Sequence, residues 1–380
     1  MHGVHSGVKL AEKGLQVISR REFLIYFSGL MTTSNLSFGA SPMAELRYLC
    51  WDGYDQPSLL RPFESLHPCV IQPEIISDSP AAFARLNQGG HRQYDIVSID
   101  SPWLERLDQD DVLAKLPKSS FANSFQPYYP ELSELLFDEG NEKVNWLPTQ
   151  WGWIGPTINT RFVKEENYRS YAPCFSSENR GRIGIMDWGD WPMLPIALYL
   201  GINPYEPLDD HAIRQLQDAF RALFKNQPVF ISNVALGQKA LLDGSVHSLI
   251  GTGTYLTSAM RRAGLKQIKT MIPDIKNGML QCIVWTEGAG AIKHQPYEAL
   301  SLQWVDYIAS EKAAFHLSYN GPTCNLSPYR TASERYSKTQ WNTLQLSDLP
   351  DLWQNSLAHR TVPSIARMLE AWQRELMKSL

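Results

Sequence analysis

The 380-residue chain lacks the sequence signals of the common enzyme classes. It has no phosphate-binding P-loop, no HExxH zinc pair and no GxSxG nucleophile elbow. Six histidines stand apart from other chemistry-bearing residues, and we expect surface or capped side chains rather than catalytic bases: His67, His211, His247, His294, His316 and His359. The sequence therefore predicts no catalytic residue, metal or cofactor, although an exported enzyme stays open as an alternative.

Paired cysteine spacings are also missing. The five cysteines are scattered, without the pattern of a zinc site or a CxxC redox motif. Cys50 and Cys69 lie in successive strand-like runs, so they either form a disulfide or are two small buried hydrophobic residues. The second interpretation is favoured.

A strong charge of either sign is absent. The 35 Lys and Arg residues nearly balance the 39 Asp and Glu residues, which gives no electrostatic reason to expect nucleic acid or acidic lipid as a partner. Beyond the first 44 residues, no apolar run approaches the length that spans a bilayer. We expect a soluble, monomeric mature protein.

The N-terminal region does carry a targeting signal. Ser19-Arg20-Arg21-Glu22-Phe23-Leu24 precedes a modestly apolar stretch, 25–31, and a small-residue region that ends around 40–44. This order predicts a twin-arginine signal peptide over 1–44, which is cleaved after export to the periplasm. An amphipathic N-terminal helix with a solvated arginine pair is the alternative. Removing the signal leaves about 340 residues, a length that suggests two lobes.

Strand-like and helix-like segments alternate after the signal. Strands are predicted at 46–51, 69–76 and 94–99, with helices at 57–66, 79–87 and 102–107. A second cycle places strands at 182–186, 246–250 and 268–272 and helices at 191–200, 209–224 and 255–263. Such alternation favours parallel strands with helices on both faces, so the predicted fold class is α/β with two doubly wound lobes.

Two segments connect these cycles and predict a two-crossing hinge. Residues 144–158 lead from the first lobe to the second, and 280–285 lead back. The predicted lobes are 45–150 with 288–333, and 151–287. A helical segment over 296–319 follows the second crossing. The C-terminal segment 334–380 should pack on the lobes through an amphipathic helix whose apolar face carries Ile365, Met368, Leu369, Trp372 and Leu376.

The ends of the predicted strands and crossings are rich in tryptophan and carboxylates. Ligands of open α/β lobes sit just beyond the carboxyl ends of strands, so these residues are candidates for binding. Each tryptophan taken singly is better explained as core, but together they suit an organic ammonium held by indole faces and carboxylates. The motifs are Trp51-Asp52-Gly53-Tyr54, Asp100-Ser101-Pro102-Trp103, Trp151-Gly152-Trp153, Asp187-Trp188-Gly189-Asp190-Trp191 and Trp285-Thr286-Glu287.

The order of these motifs resembles that of the periplasmic solute-binding proteins of ABC importers. The resemblance covers nearly the whole mature chain and is strongest for the spermidine/putrescine-binding type. It implies a type II periplasmic binding protein fold. It rests on 49–54, Tyr94-Asp95-Ile96-Val97, Trp146-Leu147-Pro148-Thr149-Gln150-Trp151-Gly152, Leu241-Leu242-Asp243-Gly244 and the strand that ends at Ile250.

The resemblance also implies site residues. Trp51 and Tyr54 match aromatic positions of the family's first-strand motif, and Trp285 and Glu287 match its tryptophan and ammonium-pairing acid. The chain departs from the family in three places. It has Asp100-Ser101-Pro102-Trp103 in place of a hydroxyl and a tyrosine, and Trp188 and Trp191 align with two acids, for which Asp187 and Asp190 could substitute. Its third departure is Gly251-Thr252-Gly253-Thr254 in place of a tryptophan.

Two motifs leave another ligand class open. The turn 251–254 either holds an anion on its backbone N–H groups or is a tight strand-to-helix turn with a threonine cap. Tyr128-Tyr129 either resembles the tyrosine pair of ferric-iron-binding relatives or packs as a loop between Pro127 and Pro130, which is favoured.

The resemblance implies a receptor that closes on a small organic, cationic, polyamine-like ligand. It would deliver this ligand to a membrane permease driven by a cytoplasmic ATPase. An anion or ferric-iron receptor of the same fold stays open as an alternative. The candidate ligand-binding residues are Trp51, Asp52, Tyr54, Asp100, Ser101, Trp151, Asp187, Trp188, Thr252, Trp285 and Glu287.

Overall fold

The computed structural model describes residues 43–117, 129–132, 143–322 and 324–379. The predicted signal therefore lies outside the described residues apart from Met43 and Ala44. Within the described ranges, no helix combines the length and the apolar character that a bilayer crossing requires.

The strands of the described residues form two larger sheets and one short two-stranded sheet. They are β1 (Ala44–Cys50), β2 (Cys69–Ile75), β3 (Ile96–Asp100), β4 (Leu116–Pro117), β5 (Lys143–Val144), β6 (Leu147–Ile154), β7 (Thr157–Asn159), β8 (Ile183–Met186), β9 (Val229–Ile231), β10 (Ser248–Ile250), β11 (Ile268–Thr270), β12 (Cys282–Ala291) and β13 (Ser356–Ala358).

The α-helices cover the two larger sheets. They are α1 (Pro57–Glu64), α2 (Ser79–Asn87), α3 (Ser101–Gln109), α4 (Met193–Tyr199), α5 (Asp210–Lys225), α6 (Val234–Asp243), α7 (Thr254–Arg262), α8 (Glu298–Ile308), α9 (Glu311–Ser318), α10 (Arg330–Glu334), α11 (Lys338–Thr343), α12 (Leu349–Asn355) and α13 (Ile365–Ser379).

The first sheet has the strand order β13-β12-β3-β1-β2. Strand β6 also pairs with β12, on the edge opposite to β3. The strands β1, β2 and β3 are parallel, as the alternation of strands and helices predicts. The long strand β12 runs antiparallel to both β3 and β6 and lies between them. This arrangement places the end of β3 beside the middle of β12, which in turn lies beside the middle of β6.

The second sheet has the order β11-β7-β10-β8-β9. Its strands β8, β9 and β10 are parallel, while β7 runs antiparallel to β10 and β11. Buried apolar residues of β8 and β10 pack against α4, α5 and α7 in one continuous core. We refer to the two sheets with their helices as lobe 1 and lobe 2.

Two crossings join the lobes, as predicted. Strand β6 of lobe 1 leads into β7 of lobe 2 through Gly155 and Pro156, and residues 271–281 lead from β11 back to β12. The crossings touch closely, because a Cβ on Gly155 would lie 1.9 Å from the carbonyl oxygen of Met271. A glycine is therefore required where the two crossings pass.

The C-terminal segment connects the lobes once more. Strand β13 pairs with the start of β12 in lobe 1, whereas α13 packs on α5 of lobe 2. The ring of Trp372 lies 4.9 Å from Phe220 and 4.8 Å from Phe224, centroid to centroid. The predicted amphipathic helix is confirmed, since Met368, Ala371 and Trp372 are buried.

Two features differ from the sequence-based expectations, and one favoured interpretation is confirmed. The apolar segment 296–319 forms two helices, α8 and α9, because Ser310 caps the second helix through its hydroxyl. Short elements β9, α6 and β13 were not expected from the pattern. Cys50 and Cys69 lie at opposite ends of the parallel strands β1 and β2, and all five cysteines are free and buried, so the favoured interpretation is confirmed.

Candidate functional site

A row of polar side chains crosses the centre of lobe 1 next to the crossings. Asp100 ends β3 and lies directly opposite Glu287 of β12, which in turn lies opposite Gln150 of β6. Directly opposed residues of antiparallel strands project to the same face, with Cβ atoms about 4.5–5.5 Å apart. We call Asp100, Glu287 and Gln150 the polar row.

Neutral donors hold one side of the Glu287 carboxylate. Its Oε2 atom accepts hydrogen bonds from the Tyr54 hydroxyl at 3.0 Å and from the Gln150 amide at 2.5 Å. Tyr54 is also 2.6 Å from the hydroxyl of Thr149, and Asn325 donates to Oε1 of Gln150 at 3.1 Å. The network fixes the orientation of Glu287 without bringing a positive charge to it.

Asp100 is held in a similar way at the beginning of α3. Its Oδ2 atom accepts a hydrogen bond of 2.8 Å from the hydroxyl of Ser79, and its backbone N–H donates to the same hydroxyl at 3.2 Å. Asp100 is 6% exposed. No ion pair among the described residues involves Asp100 or Glu287.

This lack of counter-charge changes the protonation of both groups. Burial, and then the neighbouring Asp100 carboxylate, raise the pKa of Glu287 to about 8. Burial raises the pKa of Asp100 to about 6, against the opposing effects of His359 and the Ser79 hydrogen bond. Both carboxyl groups would become fully ionised more readily if a cation lay beside them.

Lobe 2 brings aromatic rings to the same region. Trp188 stacks on Tyr255 with centroids 5.6 Å apart, and the rings of Trp191 and Trp285 meet Tyr255 edge-on at 5.6 Å and 6.0 Å. The Asp100 carboxylate contributes, after burial, to raising the pKa of Tyr255, so the two groups are electrostatic neighbours. We call Trp188, Trp191 and Tyr255, all of lobe 2, the aromatic cluster, while Trp285 meets it from β12 of lobe 1.

The link between β13 and α13 places a histidine between the lobes. His359 is 3% exposed, its backbone N–H donates to Val284 of β12, and its Nδ1 atom is buried without a partner. Its Nε2 atom is 3.8 Å from Asp190 of lobe 2, and its ring is 5.4 Å from Trp191. The expectation of a surface or capped histidine is wrong here, because the pairing of β13 draws the residue into the junction.

Several predicted ligand residues instead belong to the core. Trp151 is fully buried and stacks on Trp353 at 5.0 Å, while its indole N–H donates to the carbonyl of Ser327. Trp285 is 1% exposed, because it lies on the central strand of the sheet and its ring is covered by Gly152 and Tyr255. We therefore correct the expectation that these two indoles and the other predicted tryptophans form one box around the ligand.

The remaining predicted residues are dispersed around the strand ends. Trp51 is half-buried with an unpartnered indole N–H, Ser101 is buried in the first turn of α3, and Asp52 is exposed. Asp187 is exposed and lines a separate surface cavity of about 300 Å³ on lobe 2, together with Phe230. The structure thus brings Tyr54, Asp100 and Glu287 together and places Trp188 and Trp285 around Tyr255, whereas Asp52 and Asp187 are exposed.

The glycine-threonine turn, 251–254, packs against strand β6 and the first crossing. Thr252 is fully buried, and its carbonyl accepts from the N–H of Gly155 in the first crossing. The hydroxyl of Thr254 accepts from the N–H of Trp153, and a Cβ on Gly253 would lie 2.1 Å from the Trp153 carbonyl. These contacts favour the tight strand-to-helix turn over an anion site, although the expected threonine cap is replaced by Gly253.

The tyrosine pair is only partly described. Tyr128 lies outside the described residues, whereas Tyr129 is 7% exposed and packs 5.6 Å from Trp151 and 6.0 Å from Trp353. Among the described residues, no group of three or more His, Cys, Asp or Glu side chains is placed to hold a metal ion.

Two α/β lobes joined by two crossings, with a polar row and an aromatic cluster at the junction, define the type II periplasmic binding protein fold. The solved structure of the spermidine/putrescine ABC transporter substrate-binding protein PotD from Streptococcus pneumoniae has this fold. It matches the chain with a TM-score of 0.70 and 17% identity over 89% of this chain and 100% of that protein. The predicted type II fold is thereby confirmed.

A curated relative agrees with this result. The spermidine/putrescine-binding periplasmic protein of Escherichia coli strain K12 is 22% identical over 142 residues, which are 37% of this chain and 40% of the relative. The match therefore spans less than half the length of the curated relative. No known family model matches the chain.

The same fold also occurs with a different ligand. The Trichodesmium protein IdiA (FutA), solved with iron and citrate, matches with a TM-score of 0.59 and 13% identity over 87% of this chain and 99% of that protein. At such low identity the likeness shows the fold alone, so the ligand must be argued from the side chains of this chain.

Proposed function

We propose that this protein is the extracytoplasmic solute receptor of an ABC importer and binds a small organic cation between its lobes. The fold supports the receptor role. The observation that carries the ligand class is the presence of two neighbouring carboxyl groups, Asp100 and Glu287, at the junction without a basic partner among the described residues. A buried carboxylate is costly unless a cation compensates it, and the ligand would provide that cation.

The aromatic cluster supports the same class of ligand. Indole and phenol faces attract cations, and Trp188 and Tyr255 lie on the lobe that faces the carboxyl groups. A ligand that touches the polar row of lobe 1 and the aromatic cluster of lobe 2 would favour the closed arrangement of the two lobes. A membrane permease could distinguish this closed state from the open one and accept the ligand from it.

A thermal-shift screen tests the ligand class. The protein would be heated with polyamines, simple amines, guanidines, betaines, amino acids and oxyanions. A ligand present at one hundred times its dissociation constant would stabilise the folded protein by about 2.7 kcal/mol. We expect stabilisation by organic cations that disappears in Glu287→Gln; stabilisation by oxyanions alone would overturn the proposal.

We also propose export by the twin-arginine pathway, on the basis of Arg20 and Arg21. The double substitution to Lys keeps the charge and removes the guanidinium pair that the translocon reads. We expect the precursor to stay in the cytoplasm, which fractionation and immunoblotting would detect. Normal periplasmic recovery of the double variant would refute this route of export.

A further inference from the structure

We propose that Asp100 and Glu287 together hold one compact cationic head group, a guanidinium, rather than the two separate ends of a diamine. This inference rests on the proposed function, because it specifies the ligand of the same site. It follows from the spacing of the two carboxyl groups and from the oxygens that the protein leaves free.

The spacing is set by the pairing of β3 and β12. Asp100 and Glu287 are direct partners, so their Cβ atoms are about 4.5–5.5 Å apart and their carboxyl groups share one face. A single head group can reach both carboxyl groups at this separation. The ammonium groups of a four-carbon diamine lie farther apart in the extended chain, and each would require its own acceptor.

The hydrogen bonds of the protein leave one oxygen of each carboxyl group available. Both donors to Glu287, from Tyr54 and Gln150, reach Oε2, and the Ser79 hydroxyl reaches Oδ2 of Asp100. Within the described part of the chain, no hydrogen bond reaches Oε1 of Glu287 or Oδ1 of Asp100. A guanidinium has five N–H donors in a planar fork and can donate to two such acceptors at once.

The environments of the two carboxyl groups differ. Asp100 immediately precedes α3, whose N-terminus favours an anion, and accepts from a hydroxyl. Glu287 lies inside β12, away from any helix terminus, and has the higher pKa of the two. A cation that contacts both carboxyl groups favours their ionised forms, so Glu287 releases its proton when such a head group binds.

The surrounding elements bring further titratable groups to the two carboxyl groups. Asp100 is influenced by His359 and Asp190, and Glu287 by the hydroxyl of Tyr54. The Nε2 atom of His359 lies 3.8 Å from the Asp190 carboxylate, so these two groups interact with each other beside Asp100.

Isothermal titration calorimetry with three matched probes tests the inference: butylguanidine, butylamine and butane-1,4-diamine. We expect butylguanidine to bind at least about tenfold more tightly than butylamine, because only it donates to both free oxygens in one plane. The diamine should bind no more than about twofold more tightly than butylamine, as expected from its two equivalent ends. Because Glu287 ionises beside the bound cation, titrations at pH 7 in phosphate and in Tris should show net proton release for butylguanidine.

The alternatives give different results. Tighter binding of the diamine by tenfold or more would show that the two carboxyl groups bind two separate ammonium groups. A preference for butylamine over butylguanidine would overturn the guanidinium assignment. Either result overturns this inference and leaves the cation receptor standing, whereas stabilisation by anions with no response to any of the three cations would overturn both.

A double-mutant cycle provides a second test. If one head group contacts both carboxyl groups, Asp100→Asn and Glu287→Gln should each weaken butylguanidine binding at least about tenfold. The double variant should lose much less than the product of the two factors, because the single changes remove a shared interaction. Additive losses would indicate separate subsites and overturn the inference.

Matched controls are available in the same chain. Asp95→Asn alters a buried carboxylate at the opposite end of β3, where it accepts from the backbone of Arg47. Glu375→Gln alters a buried glutamate on α13. Both controls should leave butylguanidine affinity within about twofold of the unaltered protein, and thermal melts would establish that each variant is folded.

Discussion

Glu287 and Glu375 lie in two regions that shift the pKa of a glutamate in opposite directions. Glu375 on α13 has a side chain only 1% exposed, and it meets Arg221 at 2.8 Å and Lys378 at 2.7 Å. The hydrogen bond from Arg221 holds its pKa below the ordinary value. Glu287 receives only the neutral donors Tyr54 and Gln150, and burial raises its pKa to about 8.

The comparison separates a structural carboxylate from one suited to binding. At the contact between α5 and α13, the fold supplies cations to the carboxylate and so completes an ion pair within the protein. At the junction of the lobes, the described residues orient the carboxyl group but leave its charge uncompensated. The free-energy cost of ionising Glu287 is then recovered only when a cation arrives.

The largest effect should come from removing the ring beside Glu287. Trp285 precedes it by two residues on β12 and therefore projects to the same face. Because the ring is buried, Trp285→Ala should lower the free energy of unfolding by about 3–5 kcal/mol, measured by urea denaturation. Trp285→Phe should cost much less. An unchanged stability with weaker ligand binding would restore the earlier expectation that this ring contacts the ligand.

Glu287→Gln should weaken binding of the best cationic ligand by about 2 kcal/mol or more, since the ligand charge would lose its partner. The amide has nearly the same volume and cannot ionise, so the ligand-free protein at pH 8 should be at least as stable as the unaltered protein. Calorimetry and denaturation of the same sample measure both quantities. Tighter binding in this variant would indicate an anionic ligand.

Glu375→Gln should show the opposite behaviour. It leaves Arg221 and Lys378 without their shared carboxylate and should lower the free energy of unfolding by about 1–3 kcal/mol. Ligand affinity should not change, because α13 contacts lobe 2 on the side of α5. A loss of ligand affinity as large as that of Glu287→Gln would contradict the distinction between a structural and a ligand-binding glutamate.

The smallest effect concerns pH. Between the ordinary glutamate pKa and about 8, the folded protein holds a proton at Glu287 that the unfolded chain releases, so the ligand-free protein loses stability as pH rises through this range. The slope is at most about 1.4 kcal/mol per pH unit for this group, and Glu287→Gln should remove it. The stability contributed by Glu375 changes with pH in the opposite direction. Because its pKa is lowered in the folded protein, this contribution is present above the ordinary glutamate pKa and is lost as the pH falls. Denaturation at several pH values in both variants would separate the two contributions.

The sequence predicts the layers of the fold well and the site only in part. Strands such as β1 and helices such as α2 have clear apolar periodicity and clear end signals, so local patterns are enough to place them. Glu287 and Tyr54 were found through the family resemblance. Their contact with Gln150 depends on the insertion of β12 beside β6, which joins residues far apart in the chain.

Two errors have physical causes that a single sequence does not display. Trp151 was expected to share a box with the other strand-end tryptophans, but it packs on Trp353, whereas Trp188, Trp191 and Trp285 meet Tyr255. His359 was expected at the surface because β13 has only three residues and no periodic signal. Its burial follows from a strand pairing with β12 that only the tertiary structure reveals.

The C-terminal connection also limits how far the two lobes can separate. His359 is bonded to Val284 in lobe 1, and the hydroxyl of Ser364 accepts from the N–H of Leu208 in lobe 2 at 2.9 Å. The five peptide units that link these anchors can extend to at most about 17 Å. While both bonds hold, this edge of the molecule acts as a short tether between the two lobes.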